Sequence, residues 1–251
     1  MNRSAPLQRL IATPELGPLV LLLLMLAVFA AINPDFLSPL NISNTLTFTV
    51  ELGLIALAMT LLMTAGEFDL SVGSVFGFAP VLMWTLFNGG ATGLGTAFLI
   101  ALAVAAAIGL VSGLFVTRLK IPSFLVTLGM LLVVRGTALF VTDGFPQRTW
   151  NAGGSLLAQI LVGDFHLGPF RLYASLFWFI GAALLFGYAL TRTKIGNWIQ
   201  ASGGNPTAAR ARGVDVDATK VALFMLTALM AAFAGIISSI RTSAANPNSG
   251  T

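Results

Sequence analysis

Residues 96–116 read TAFLIALAVAAAIGLVSGLFV, a run without one charged side chain. A helix of about 20 such residues is long enough to cross the roughly 30 Å hydrocarbon core of a bilayer. Within it, Gly109 and Gly113 stand four apart as Gly-x-x-x-Gly, a spacing that lets another helix backbone come close. Outward from this run, similar stretches recur at Leu16–Ile32, Thr47–Ala65, Val72–Phe87, Ile121–Val141, Leu172–Leu190 and Val221–Ile240. The fold class expected is an all-α polytopic transmembrane bundle with seven spans. Pro34 and Pro39 break the chain after the first span, and Asn88-Gly89-Gly90 end the third. Polar stretches at 142–171 and 191–219 read as loops.

Composition agrees with lipid as the main solvent. Of 251 residues, 57% are hydrophobic and 9% charged, where a soluble domain has roughly 25% charged. The net charge of +4 does not point to nucleic acid, because the cations sit at the ends of apolar runs. With an inside N-terminus, Arg3, Arg9, Arg118, Lys120, Arg192, Lys194, Arg210, Arg212 and Lys220 face the cytoplasm. Arg148, Arg171 and Arg241 then face outward, and Arg135 falls within a span. That imbalance satisfies the positive-inside rule, and the reverse orientation violates it. The first apolar run lacks a small-x-small cleavage site and reads as a retained helix rather than a signal peptide.

Several chemistries are excluded. There is no cysteine for disulfides or zinc thiolates, and the one histidine, His166, cannot build a metal cluster. No Gly-x-x-x-x-Gly-Lys-Ser/Thr pattern is present, so this chain should not hydrolyse ATP, and no nucleophile–His–acid set appears. His166 reads as a solvated loop residue, and Trp150, Trp178 and Trp198 as interface anchors.

Charges in or beside spans are costly and often functional. Arg135 and Glu51 are candidates to neutralise each other. Asp69-Leu70-Ser71-Val72-Gly73-Ser74 reads as a helix start capped by Asp69 or Ser71. It is either a plain connection or a turn that lines a route or moves with a gate. In the loop at 191–219, Asn205 suits a helix N-cap, Pro206 the first helical position and Gly213 a left-handed stop. Arg210 and Arg212 fall in its last turn, where the helix dipole favours cations. Such a knob is either a capped surface turn or a docking element for a soluble partner.

Three segments resemble permeases of ATP-binding-cassette importers of the ribose/xylose/galactose type. They are Gly66-Glu67-Phe68-Asp69-Leu70-Ser71-Val72-Gly73-Ser74, Lys120-Ile121-Pro122-Ser123-Phe124-Leu125-Val126-Thr127-Leu128-Gly129, and Gly203-Gly204-Asn205-Pro206-x-Ala208-Ala209-Arg210-x-x-Gly213-Val214. Glu67 departs from that family's pattern, which has Gly there. The resemblance implies one permease domain over 1–251, a homodimer in membrane lipid with a pathway on its twofold axis. It also implies a separate ATPase subunit that uses ATP and Mg, and a periplasmic sugar-binding protein. No cofactor is expected on this chain. Gly203, Gly204, Asn205, Pro206, Ala208, Ala209, Arg210, Arg212 and Gly213 are then the ATPase-coupling loop. Asp69, Ser71, Gly73, Glu51 and Arg135 are candidates for the pathway or gate. Such permeases have about ten spans, so the last ones are expected to be missing here. The rivals are a branched-chain amino-acid permease, an ion-coupled secondary transporter and a membrane scaffold. The absence of centrally placed acidic residues argues against the second of these.

Overall fold

The structure, a computed structural model, describes residues 16–149 and 154–250. Arg3, Arg9 and Trp150 lie outside the described residues. Each expected span is helical, and further short helices appear between them. In chain order the helices are α1 Leu16–Ile32, α2 Pro39–Thr64, α3 Val72–Asn88, α4 Leu94–Arg118, α5 Ser123–Thr142, α6 Leu156–Val162, α7 Ser175–Arg192, α8 Lys194–Gly204, α9 Pro206–Ala211 and α10 Val216–Thr242. The strands are short: β1 Gln147–Arg148, β2 Asp164–Leu167, β3 Phe170–Tyr173 and β4 Ala244–Ala245. Five helices are long and apolar enough to cross a membrane, and α1 and α3 are shorter apolar helices of 17 residues each. The protein is an all-α polytopic membrane bundle.

The chain divides into two compact units. Within the described residues, the first holds 16–46 and 166–171. Its α1 buries no residue, and Leu19, Leu21 and Leu23 are all exposed, as on a helix apolar all round. The Ser38 hydroxyl accepts from the Asn41 N–H at 3.3 Å, and Pro39 takes the first helical position. These two residues start α2 well before Thr47. His166 is exposed in the segment that joins β2 to β3.

The second unit is built around α10. Gly109 and Gly113 of α4 do face a neighbour at close range: a side chain on Gly109 would strike the backbone at Phe224 and Met225, and one on Gly113 would strike Val221. Further along, Gly235 of α10 lies against the backbone of Phe76 in α3. Small residues thus let α10 touch α4 on one side and α3 on the other. Along this length Leu223, Phe224, Ala228, Ala231, Ala232, Ile236 and Ile237 are buried. Trp84 is fully buried too, and its indole N–H donates to the Ser239 hydroxyl at 3.1 Å. From α3, the Ser74 hydroxyl donates to the Leu131 carbonyl of α5 at 2.9 Å. Beyond the ends of α5 and α10, β1 pairs antiparallel with β4, Gln147 opposite Ala245 and Arg148 opposite Ala244.

Two polar stretches are more structured than a loop reading suggests. Residues 142–171 contain α6, capped by the Ser155 hydroxyl accepting from Ala158 N–H, with Leu161 and Val162 buried in the core. The stretch 191–219 contains α8 and α9. Trp178 also departs from simple anchoring: its N–H donates to the Ile160 carbonyl at 3.0 Å, and its ring meets Phe233 edge-on at 5.6 Å.

Replacing Gly109 with Leu should force α4 off α10 and cost about 1–3 kcal/mol or more. Gly129, with no atom near a potential side chain, is the control. Thermal unfolding in detergent should show a clear loss of Tm for Gly109→Leu and little change for Gly129→Leu.

Candidate functional site

The informative end of the bundle is a run of three helices, each opened by a side-chain cap. Thr193 accepts from Gly196 N–H to open α8, Asn205 from Ala208 N–H at 3.0 Å to open α9, and Asp215 from Ala218 N–H at 2.9 Å to open α10. Each cap satisfies one of the backbone donors that a helix start leaves unpaired. Pro206 occupies the first turn of α9. Gly213, at φ +84°, turns the chain where a side chain would be strained. The predicted knob is present, at Pro206–Ala211 rather than 207–212. A side chain on Gly203 would strike the backbone at Thr64 and Ala65, so α8 lies directly on the end of α2. Gly204 is the last residue of α8, Ala208 is exposed and Ala209 is buried.

Arg210 does not project freely. Its Nη2 meets Asp217 Oδ1 of α10 at 2.5 Å, and the Lys120 ammonium stands 3.8 Å from the same oxygen. Arg212 is the residue that closes α9, and it is exposed. A cavity of about 370 Å³ opens here, with Glu67, Lys120, Pro206, Arg210, Asp217 and Lys220 in its wall.

The segment between α2 and α3 climbs along α10. Glu67 pairs with Lys220 at 2.5 Å, both side chains about one-seventh exposed. Asp69 is buried; its Oδ1 accepts from the Ser71 N–H at 2.8 Å and hydroxyl at 2.6 Å, and its Oδ2 from the Thr227 hydroxyl at 3.1 Å. Ser71 occupies the N-cap position of α3 but makes no side-chain cap, so neither residue caps the helix as the sequence suggested. From Lys220 through Thr227 to Gly235, the contact partners span about 22 Å of helix. Non-helical backbone inside a membrane bundle is tolerated where protein covers it or where it lines a cavity. Gly73 begins α3 against the Gly250 carbonyl, with no room for a side chain.

The other intramembrane charges pair differently from the sequence expectation. Glu51 meets Arg241, not Arg135: Nε and Nη2 of Arg241 lie 2.9 and 2.7 Å from Glu51 Oε1. Arg135 donates from Nη1 to the Asn248 carbonyl at 3.3 Å, and its buried Nε has no partner among the described residues. Because α2 starts at Pro39, Glu51 stands midway along it, and Asp69 is buried within the bundle. The sequence argument that no acidic residue is centrally placed therefore fails. What revealed neither α8 nor the Glu51–Arg241 pair was apolar periodicity; the Thr193 cap signal was visible, and the partner 190 positions away in sequence was not. Among the described residues, no three His, Cys, Asp or Glu side chains gather to hold a metal.

A polytopic bundle with a capped, arginine-bearing helix at one end has the form of a transport permease. Residues 41–251 match the family described as the permease component of branched-chain amino acid transport systems, and the chain belongs to that family. Over 238 residues it is 33% identical to the ribose import permease protein of Escherichia coli K12, which covers 94% of this chain and 73% of the relative. It is 32% identical over 250 residues to the galactose/methyl galactoside import permease protein of the same organism, covering 94% and 74%. With the xylose/arabinose import permease protein of Sulfolobus acidocaldarius the identity is 32% over 215 residues, covering 83% and 58%. No solved structure matches.

Glu67→Gln leaves the Lys220 ammonium nearly buried without its counter-charge, and should cost about 3–5 kcal/mol. The double substitution Glu67→Gln with Lys220→Met should recover most of that loss in detergent melting curves.

Proposed function

We propose that this chain is the membrane-spanning permease subunit of an ATP-binding-cassette importer for a monosaccharide in a bacterial inner membrane. Its N-terminus and α9 face the cytoplasm. The observation that carries the reading is the likeness, over most of the chain, to permeases named for ribose, xylose/arabinose and galactose import. The capped α9, tied to the longest helix of the bundle, gives that reading a mechanical form. A separate ATPase subunit, using ATP and Mg, docks on α9; a periplasmic sugar-binding protein docks on the opposite face; and a second copy of this chain completes the route.

The geometry supports alternating access in a specific way. When the ATPase halves close, they displace α9. Arg210 passes the displacement to Asp217 at the start of α10. The rod carries it to Glu67 through Lys220 and to Asp69 through Thr227, and so to the turn that opens α3. A ligand or motor shifts such an equilibrium only through differential contacts in its two states. The Arg210–Asp217 pair, the cap at Asn205 and the close seat of Gly203 on α2 are contacts of that kind. The family's printed description favours a branched-chain amino acid as the alternative cargo.

Purified with the ATPase and binding protein encoded beside it and placed in vesicles, the complex should take up ribose, xylose, arabinose or galactose only when ATP is hydrolysed. Uptake of leucine instead would select the alternative; recovery with no ATPase subunit would refute the importer reading. In the working complex, Arg210→Glu should cut uptake about tenfold, a loss of about 1.4 kcal/mol of coupling. The charge swap Arg210→Glu with Asp217→Arg should restore it if the tie runs to α10. Normal uptake by Arg210→Glu alone would count against the coupling role.

A further inference from the structure

We propose that the cavity beside Glu51 is a low-affinity binding site for a neutral polyhydroxyl solute on the transport route. This rests on the importer reading above and names where the sugar is held within this chain. The cavity has a volume of about 320 Å³, and its wall includes Phe48, Glu51, Leu52, Gly73 and Phe76. Ligand sites of small molecules begin at about 300 Å³ and combine apolar walls with a few placed polar groups.

The bonding of Glu51 sets the chemistry. Both donors of Arg241 fall on Oε1, and Oε2 receives no hydrogen bond among the described residues. The guanidinium is held from the other side, its carbon 4.5 Å from the centre of the Phe48 ring. A carboxylate fixed in this way offers one oriented acceptor oxygen at the cavity wall. A pair serving structure alone needs neither the unbonded oxygen nor the space beside it, and an ion pair inside a membrane bundle is costly to keep. Hydroxyl groups donate well to a carboxylate, because the bond is charge-assisted. The C–H face of a sugar ring packs on aromatic walls such as those of Phe48 and Phe76.

The charge count narrows the solute. Glu51 and Arg241 already neutralise each other, so a neutral ligand leaves the site balanced, while a cation or an anion would compete with one partner. A single free acceptor makes binding weak. A transport route needs that weakness, because a tightly held solute would not leave. Arg241 acts here as a positioning residue for Glu51.

The chain has no cysteine, which makes the test direct. Leu52 lines the cavity and is 71% exposed, so Leu52→Cys introduces one thiol at its mouth. In the assembled importer, a water-soluble methanethiosulfonate should label that thiol. The transported sugar (ribose, xylose, arabinose or galactose, at tens of millimolar) should slow labelling several-fold, and leucine at the same concentration should not. Adding Glu51→Gln, which keeps an acceptor for Arg241, should abolish the protection while labelling continues. An unreactive thiol, or one labelled equally fast with and without sugar in a complex that transports that sugar, overturns the site. Protection that survives Glu51→Gln overturns the role of its carboxylate. If the unsubstituted complex transports none of the four sugars, the importer reading falls and takes the site with it.

Discussion

Close backbone contact along α10 is the constraint on which the second unit depends. In a lipid environment apolar side chains gain little by leaving their solvent, since hydrocarbon is as apolar as leucine. Helices must instead be held by tight packing and by polar contacts that have nowhere else to go. Gly109 and Gly113 open one side of the contact and Gly235 the other, so α10 can lie against α4 and α3 at once. With that seat made, Trp84 finds Ser239, Asp69 finds Thr227, and Glu51 finds Arg241. A bulkier residue at any of these glycines would misplace all of the polar contacts together.

The polar contacts form a ladder on that rod. Asp217 at its start meets Arg210 of the capped helix. Lys220 and Thr227 hold the climbing segment through Glu67 and Asp69. Arg241, at its far end, positions Glu51. The outermost tie is the most exposed, with 45% and 32% of its two side chains accessible, while the Glu67–Lys220 and Glu51–Arg241 pairs are far more enclosed. Exposed pairs contribute roughly 0–1 kcal/mol, whereas breaking an enclosed one costs several times more. The ladder is therefore weakest at the end where a partner would push and stiffest where the bundle must stay assembled.

Much of this was legible in the sequence. Runs of apolar residues located the seven spans, because a bilayer demands length and apolarity and little else. The caps at Asn205 and Gly213 located α9, because their chemistry is local. Gly109 and Gly113 announced a close helix contact without naming the partner. What was not legible was non-local. Nothing near Glu51 says that its partner is Arg241 rather than Arg135, since pairing depends on how helices far apart in sequence come together. The start of α2 was missed because Asn41, Ser43, Asn44 and Thr45 dilute the apolar signal, while the Ser38–Pro39 start overrides it. Helix α8 was hidden for a related reason: its glycines read as loop, yet Gly196 and Gly203 are the places where it touches other backbone.

Asn205 serves two helices at once. It closes α8, its N–H donating to the Ala201 carbonyl at 3.1 Å, and its side chain opens α9. No spare residue separates the two. Adding or deleting one position between Thr193 and Asp215 would swing the following helix by about 100° around its axis, since 3.6 residues complete a turn. Arg210 would then point away from Asp217. Length in this stretch is thus fixed like the tooth count of a gear, whereas Gly89–Gly93, which joins α3 to α4, has no such duty and can change length freely.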